Sequence, residues 1–494
     1  MKYQSTRNKS LKVDSAYAIA HGISEEGGLF IPETVPTLTA EDFATLKNMD
    51  YVGKAEYIFS RFLTDFTAEE ISYCAKGAYL GNFEKDLPAP LYSLTDEVKI
   101  LELWHGPTCA FKDLALQILP YLLTTSAKKV ADGKKIVILV ATSGDTGKAA
   151  LEGFCDVADT EIMVFYPSDG VSPMQKRQMA TQKGKNVYVC AIEGNFDDCQ
   201  TGVKTIFTDP AAKAELAKNN MEFSSANSIN WGRLAPQIIY YISAYCDLLK
   251  EGKTLENGFN VVVPTGNFGN ILAAYYAREM GVPIAKLICA SNSNNVLTDF
   301  LKTGTYDRNR SFYTTVSPSM DILISSNLER MLAEFTGHDD KKVSGWMNEL
   351  KEKGKYTVDG ETFAKIRDLF YGGFCDEEST YKTIDETFKK YGYLIDTHTA
   401  VAVSVYNDYK AETGDERPTV IASTASPYKF AASVLEALGE KASDDEFETV
   451  EIMSQKTNTV IPESLAALKN AAVRFTDVSA KEDMRKVVFD HLGI

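Results

Sequence analysis

Lys112 stands in the segment HGPTCAFKD, residues 105–113, between Phe111 and Asp113 and a few positions after a glycine-proline turn. A lysine drawn out of water loses part of its protonated fraction and becomes a nucleophile able to form a Schiff base. Such chemistry needs a partner, and three polar loops offer places for one. TGNFGN, residues 265–270, lies between the β-branched run GFNVVVP and the helix-like ILAAYYAREMG. Glycines between a buried strand and a helix turn backbone N–H groups inward, and the helix start adds positive potential, so the loop can cradle a phosphate dianion without a basic side chain. TSGDTG, residues 142–147, sets two threonines and a serine among backbone donors at another helix start, which suits a carboxylate as well as a phosphate. SSANSINWGR, residues 224–233, places Asn227, Ser228, Asn230 and Arg233 ahead of an apolar helix, where they can converge on an anion. Taken singly, each loop is also what ordinary turns and helix caps require.

Other candidates lead elsewhere. SGDTGKAA lacks the spacing of a nucleotide-binding P-loop and has Ala149 where a magnesium-binding hydroxyl belongs. His105 beside its turn reads as a structural hydrogen-bonding residue. His338, Asp339 and Asp340 are adjacent and cannot all face one ion, and Asp197 with Asp198 reads as a helix start. The eight cysteines are scattered without a C-x-x-C pair, as expected of reduced, mostly buried thiols.

The elements that must position these loops alternate. KIVILVA, EIMVFY, NVYVCAIEG and GFNVVVP are strand-like runs, each followed by a helix-like segment, which predicts a mostly parallel sheet wrapped by helices. The first hundred residues, with the glycine turn of EEGGLFIPE and the aromatic helix pattern AEYIFSRFL, form an N-terminal unit. Residues from about 300 to 390 (NLERMLAEF, WMNELKEKG, TFAKIRDLF) read as a helical insertion, and the sheet pattern resumes at PTVIASTA.

The chain has 494 residues and a formal charge of −16, so it is long enough for two or three domains and poorly suited to a polyphosphate backbone. No nucleic acid is expected, no membrane segment is evident, and a cytoplasmic location is the simplest expectation.

One lysine out of water, a neutral phosphate cradle and a second anion loop on an α/β scaffold are the parts that pyridoxal phosphate requires. Moreover, HGPTCAFKD, ATSGDTGKAA, EGNFDDCQ, SSANSINWGR, PTGNFGNILA and ASTASPYKF, with EEGGLFIPE near the start, together resemble the threonine synthases among fold-type II pyridoxal-phosphate enzymes. The resemblance implies two doubly wound, mostly parallel α/β units, a smaller mobile one over about residues 135–235 and a larger one over 99–134 and 236–494. Residues 1–98 would form the N-terminal domain. It implies the Schiff base on Lys112, the cofactor phosphate on Gly266, Asn267, Phe268, Gly269 and Asn270, and Thr424 beside the pyridine nitrogen, where a neutral hydroxyl makes a weaker electron sink than the usual aspartate.

On the substrate side it implies Ser143, Asp145 and Thr146, with Ser143 and Thr146 taking the carboxylate, and Asn230 with Arg233 for a phosphate. The implied reaction turns O-phospho-L-homoserine and water into L-threonine and phosphate, in a monomer or homodimer without metal. Two positions depart from the pattern. Asp145 stands where cysteine synthases carry asparagine against the cofactor's phenolic oxygen, and a carboxylate there would repel a phenolate, which implies another contact. Ser426 replaces the histidine of many threonine synthases. A phospho-lyase or serine/threonine dehydratase releasing a 2-keto acid, or an inert cofactor-binding protein, are the alternatives.

Overall fold

The structure is a computed structural model describing residues 1–494 except 131, 132, 143, 169, 170 and 254; the side chain of Asp197 also lies outside the description. β1 (Tyr3–Ser5) pairs antiparallel with β2 (Asn8–Val13) and β3 (Phe30–Pro32). Gly27, at φ 85°, makes the turn into β3 in a conformation glycine adopts at little cost. The helices Tyr51–Phe62 and Ala68–Tyr79 follow, started by Asp50 and by a Thr67–Glu70 capping box. Their buried residues recur at three- and four-residue spacing, as in Ala55, Ile58, Phe59 and Phe62, and pack with the helix Trp231–Lys250, which is buried along most of its length.

Two parallel-rich sheets carry the rest. β4 (Leu91–Ser93) and β5 (Val98–Glu102) are antiparallel neighbours. β6 (Lys135–Ala141), β7 (Thr160–Pro167), β8 (Val187–Glu193) and β9 (Met221–Ser224) form the smaller sheet, parallel throughout. β10 (Phe259–Pro264) and β11 (Ile284–Ser291) belong to the larger sheet, and β12 (Thr305–Asp307) pairs with β13 (Lys355–Thr357) outside both. β14 (Phe370–Phe374), β15 (Thr419–Ser423) and β16 (Val478–Ala480) complete the set. The larger sheet runs β14-β11-β10-β15-β5-β4 and the smaller β16-β8-β7-β6-β9. β10 and β15 are wholly buried and read as continuous apolar runs because helices cover both faces.

This order places the chemistry. β10, β15 and β5 are adjacent and parallel, so the loops leaving their carboxyl ends, at 265–270, 424–426 and 103–112, meet at one edge. Ligands in open α/β sheets bind at such an edge.

Two parts of the sequence reading change. The segment 300–390 is not purely helical: it contains β12, β13 and the larger sheet's edge strand β14. FYGGF carries little β-branched signal, yet its glycines allow close packing; a Cβ on Gly373 would lie 2.6 Å from Val405. Nor does all of 236–494 join the larger sheet, because β16 pairs with β8 of the smaller one. Three residues of sequence VSA give no periodicity from which to read that pairing. Among the described residues no helix is long and apolar enough to cross a membrane.

Candidate active site

The loop carrying Lys112 is fixed from two sides. Phe111 N–H donates to the Thr424 carbonyl at 2.9 Å and Ser426 N–H to the Cys109 carbonyl at 3.0 Å, zipping residues 109–111 to 424–426. The Asp113 carboxylate accepts from Thr108 N–H at 2.8 Å and from its hydroxyl at 2.6 Å. Gly106 packs against Asp113 so closely that a Cβ would come within 2.5 Å of its carboxylate. Lys112 then opens the short helix Asp113–Leu116 with its side chain 12% exposed. Its Nζ donates to Ser319 Oγ at 3.2 Å and lies 3.6 Å from an Asp145 oxygen. Burial lowers its pKa, the charges of Lys429 and Arg233 add to that, and Asp145 opposes it. The amine is thus held out of bulk water with its basicity reduced.

Asp145 is the first residue of the helix Asp145–Phe154, which follows β6. Lys429 Nζ lies 2.7 Å from Oδ1, Gln175 donates to the same oxygen at 2.9 Å, and Ser319 Oγ donates to Oδ2 at 3.3 Å. Although burial opposes it, the charges of Lys429 and Lys112 hold the carboxyl well below the usual carboxylate range. Desolvation makes such a pair no guarantee of net stability, but stripping one partner from a buried pair costs about 3–5 kcal/mol. Thr142 caps this helix start, accepting from Gly144 N–H at 3.0 Å and Gly147 N–H at 2.9 Å. Thr146 is half-buried in its first turn, and Ser143 lies outside the described residues.

The glycine loop is built for close approach. Phe268 takes a left-handed conformation, φ 62°, to start the helix Gly269–Glu279. A Cβ on Gly266 would lie 2.8 Å from the Ser319 carbonyl, so only glycine leaves that space. The Asn267 carbonyl accepts from the Asn327 backbone and side chain, both at 3.0 Å. Asn270 Oδ1 accepts from the Tyr240 hydroxyl at 2.8 Å and the Tyr241 hydroxyl at 2.5 Å, which fixes the amide with Nδ2 on the other side. That Nδ2 is buried without a partner. A buried donor with no acceptor costs about 1–3 kcal/mol, so an orphan at the mouth of a helix is what a phosphate ligand would satisfy. The residues present therefore fit the phosphate of the cofactor that the resemblance implies, with Thr424, 6% exposed, at the neighbouring strand end.

Arg233 supplies a second unsatisfied donor. Its side chain is buried, Nη1 donates to the Ala226 carbonyl at 2.5 Å, and Nε has no partner. Among the described residues no carboxylate pairs with it, and burial lowers its pKa to about 10. Asn230, read from sequence as its companion, is otherwise engaged. Its Oδ1 caps Gly232 N–H at 2.8 Å and its Nδ2 donates to the Ile19 carbonyl at 2.8 Å, tying the Trp231–Lys250 helix to the N-terminal unit.

Sequence reasoning missed Lys429, Ser319 and His398. Lys429 is wholly buried five residues after Thr424 in the quoted ASTASPYKF, and its apolar setting is the same signal that marked Lys112. His398 Nε2 accepts from Ser319 N–H at 3.2 Å while Nδ1 faces Asp396 at 2.7 Å, so the ring is the Nδ1–H tautomer that holds Ser319 beside Lys112. Arg330, also buried, joins the Phe30 and Ile229 carbonyls to Asn327 and so ties the N-terminal unit to the loop supporting Asn267. His105 lies between Glu84 and Glu102, His338 beside Gln4 and Glu334, and Asp198 in a capping box, all structural roles. A separate groove of about 1030 Å³ opens at the opposite strand ends. Two of the cations lining it are engaged, Lys286 by backbone carbonyls and Arg417 by Asp415.

Comparison with known proteins agrees with this geometry. Family models described as threonine synthase N terminus, pyridoxal-phosphate dependent enzyme and threonine synthase C-terminal match residues 2–79, 94–425 and 399–488. Human threonine synthase-like 1 is 40% identical over 432 residues, 85% of this chain but 57% of its own length, so the chain spans little more than half of that relative. Threonine synthase of Saccharomyces cerevisiae is 35% identical over 98% of both chains. The pyridoxal-phosphate-bound crystal structure of threonine synthase from Brucella melitensis superposes with a TM-score of 0.89 at 36% identity, covering 99% of each chain. The chain belongs to the threonine synthase family of fold-type II pyridoxal-phosphate-dependent enzymes.

Proposed function

We propose that the protein converts O-phospho-L-homoserine and water to L-threonine and phosphate, with Lys112 as its reacting lysine. The observation that carries this reading is the pair of orphaned buried donors in one site, Asn270 Nδ2 and Arg233 Nε. A cofactor and a substrate that each bear a phosphate need two phosphate sites besides the one for the substrate carboxylate, whereas a dehydratase acting on an unphosphorylated amino acid needs one. Residues 266–270 would hold the cofactor phosphate, and Thr424 would face its pyridine nitrogen. When bound, pyridoxal phosphate supplies an electron sink for negative charge developing at the substrate's Cα and Cβ.

The chain's own residues do the rest. Arg233 binds the substrate phosphate and stays with it as charge grows on the leaving oxygen at Cγ. Thr146 and the backbone at the Asp145–Phe154 helix start orient the carboxylate. Lys112 Nζ, with its proton affinity lowered by burial, takes the proton from Cα and moves protons at Cβ and Cγ, while a water oxygen adds at Cβ. Ser319 steers Nζ through its 3.2 Å contact. Phosphate and threonine are to be measured together after incubation with O-phospho-L-homoserine and pyridoxal phosphate. Equal amounts of both are expected; 2-oxobutyrate without threonine would refute the reading in favour of a lyase.

A further inference from the structure

Two lysines share one carboxylate at this site, and only one of them has a role in the reaction proposed. Lys429 lies wholly buried on the short turn Pro427–Phe430 after β15 and gives its ammonium to Asp145 Oδ1 at 2.7 Å and the Thr108 carbonyl at 2.9 Å. Thr108 is the residue that clamps Asp113, next to Lys112. The other Asp145 oxygen, Oδ2, faces Lys112 at 3.6 Å and Ser319 at 3.3 Å. Asp145 follows a strand of the smaller sheet and both lysines follow strands of the larger, so the ion pair bridges the two.

The charged and titratable groups facing Lys112 are therefore Asp145 from the Asp145–Phe154 helix, Lys429 from the turn after β15, and Arg233 from the Trp231–Lys250 helix. His398 reaches it through the Ser319 backbone, and the adjacent Asp113 is turned towards Thr108. Were Lys429 absent, the full negative charge of Asp145 would fall on Lys112 and hold its proton. With Lys429 present the acid and its partner carry no net charge.

We propose that Lys429 is a positioning residue which, by engaging Asp145 Oδ1, leaves Oδ2 to orient Lys112 without capturing its proton, so that Lys112 remains available as the free amine. This rests on the reading of Lys112 as the reacting lysine. The test uses the full chain freed of cofactor, labelled with acetic anhydride from pH 6 to 10, with acetylation at Lys112 followed by peptide mass spectrometry. In Lys429→Met the midpoint of Lys112 labelling should rise by about one pH unit or more, roughly a tenfold loss of reactivity at pH 8. Lys429→Arg should keep the original midpoint, and Lys429→Met combined with Asp145→Asn should reverse the rise. An unmoved midpoint in a folded Lys429→Met protein overturns the proposal and leaves Lys429 a structural ion pair. If Lys429→Met does not fold by circular dichroism, Lys429→Gln, which removes the charge but keeps a donor for Asp145 Oδ1, is read in the same way, and an unmoved Lys112 midpoint there overturns the proposal equally. Labelling reads Lys112 whatever the enzyme's substrate, so failure of threonine formation by the unaltered chain is scored separately.

Discussion

Replacing Arg233 by methionine should strengthen the fold and cripple the enzyme. Burial pulls the guanidinium from 12.5 to about 10, which at about 1.4 kcal/mol per pH unit amounts to about 3 kcal/mol against the charged form. Methionine removes that penalty and keeps the length and apolar contacts of the stem, while forfeiting the bond to the Ala226 carbonyl, worth about 1 kcal/mol. The net gain is about 2 kcal/mol. With a melting entropy of roughly 2 cal/mol/K per residue, a cooperative chain of 494 residues would gain about 2 °C in calorimetric Tm, and more if one unit melts alone. The same change should raise KM for O-phospho-L-homoserine at least about thirtyfold, the effect of losing about 2 kcal/mol of contact with a dianion, with cofactor affinity unaltered. Inorganic phosphate should raise the Tm of the cofactor-loaded parent protein but not of the variant. A lowered Tm with an unchanged KM would refute the reasoning and make Arg233 a brace for the Ala226 loop.

Lys112→Ala should abolish threonine formation and leave the cofactor removable by dialysis, with the glycine loop as its remaining anchor; turnover assays and absorbance of the dialysed protein check both. Tyr241→Phe removes one of two hydroxyls fixing the Asn270 amide, and a loss of about 1 kcal/mol predicts roughly fivefold weaker cofactor binding in equilibrium dialysis. Asp113 is raised by burial from 3.8 to about 6, so its contribution is fully present below about pH 4 and is lost as pH rises through 6. Urea unfolding should therefore show Asp113→Asn gaining on the parent by about 2 kcal/mol between pH 4 and pH 7, whatever the constant offset from its altered bond to Thr108.

The alternation of β-branched runs with helical stretches made β6, β7, β8, β10 and β15 legible, because strands buried on both faces are written as continuous apolar sequence. The same property hid β9, β14 and β16, which are short or glycine-containing and acquire strand character from neighbours rather than from composition. At the site, Lys112, the glycine loop and Arg233 were visible because each combines an unusual residue with a local frame. Ser319 and His398 were not, since a serine 207 positions from Lys112 and a histidine 79 further on acquire meaning only when the larger sheet folds. Asn230 shows the converse: a polar residue in the right loop whose donors and acceptor are taken by a helix cap and the Ile19 carbonyl.

The strand order has a consequence for biosynthesis. On a ribosome, β5 and the Lys112 loop emerge early, yet their parallel neighbour β15 is made more than three hundred residues later, and β8 waits nearly as long for β16. Both sheets thus leave the exit tunnel with an unpaired margin, which is where aggregation starts and where chaperones bind. The nascent chain gains its buried Lys112 pocket only after residue 426 has closed on Cys109, so premature termination upstream of that point leaves the pocket unbuilt.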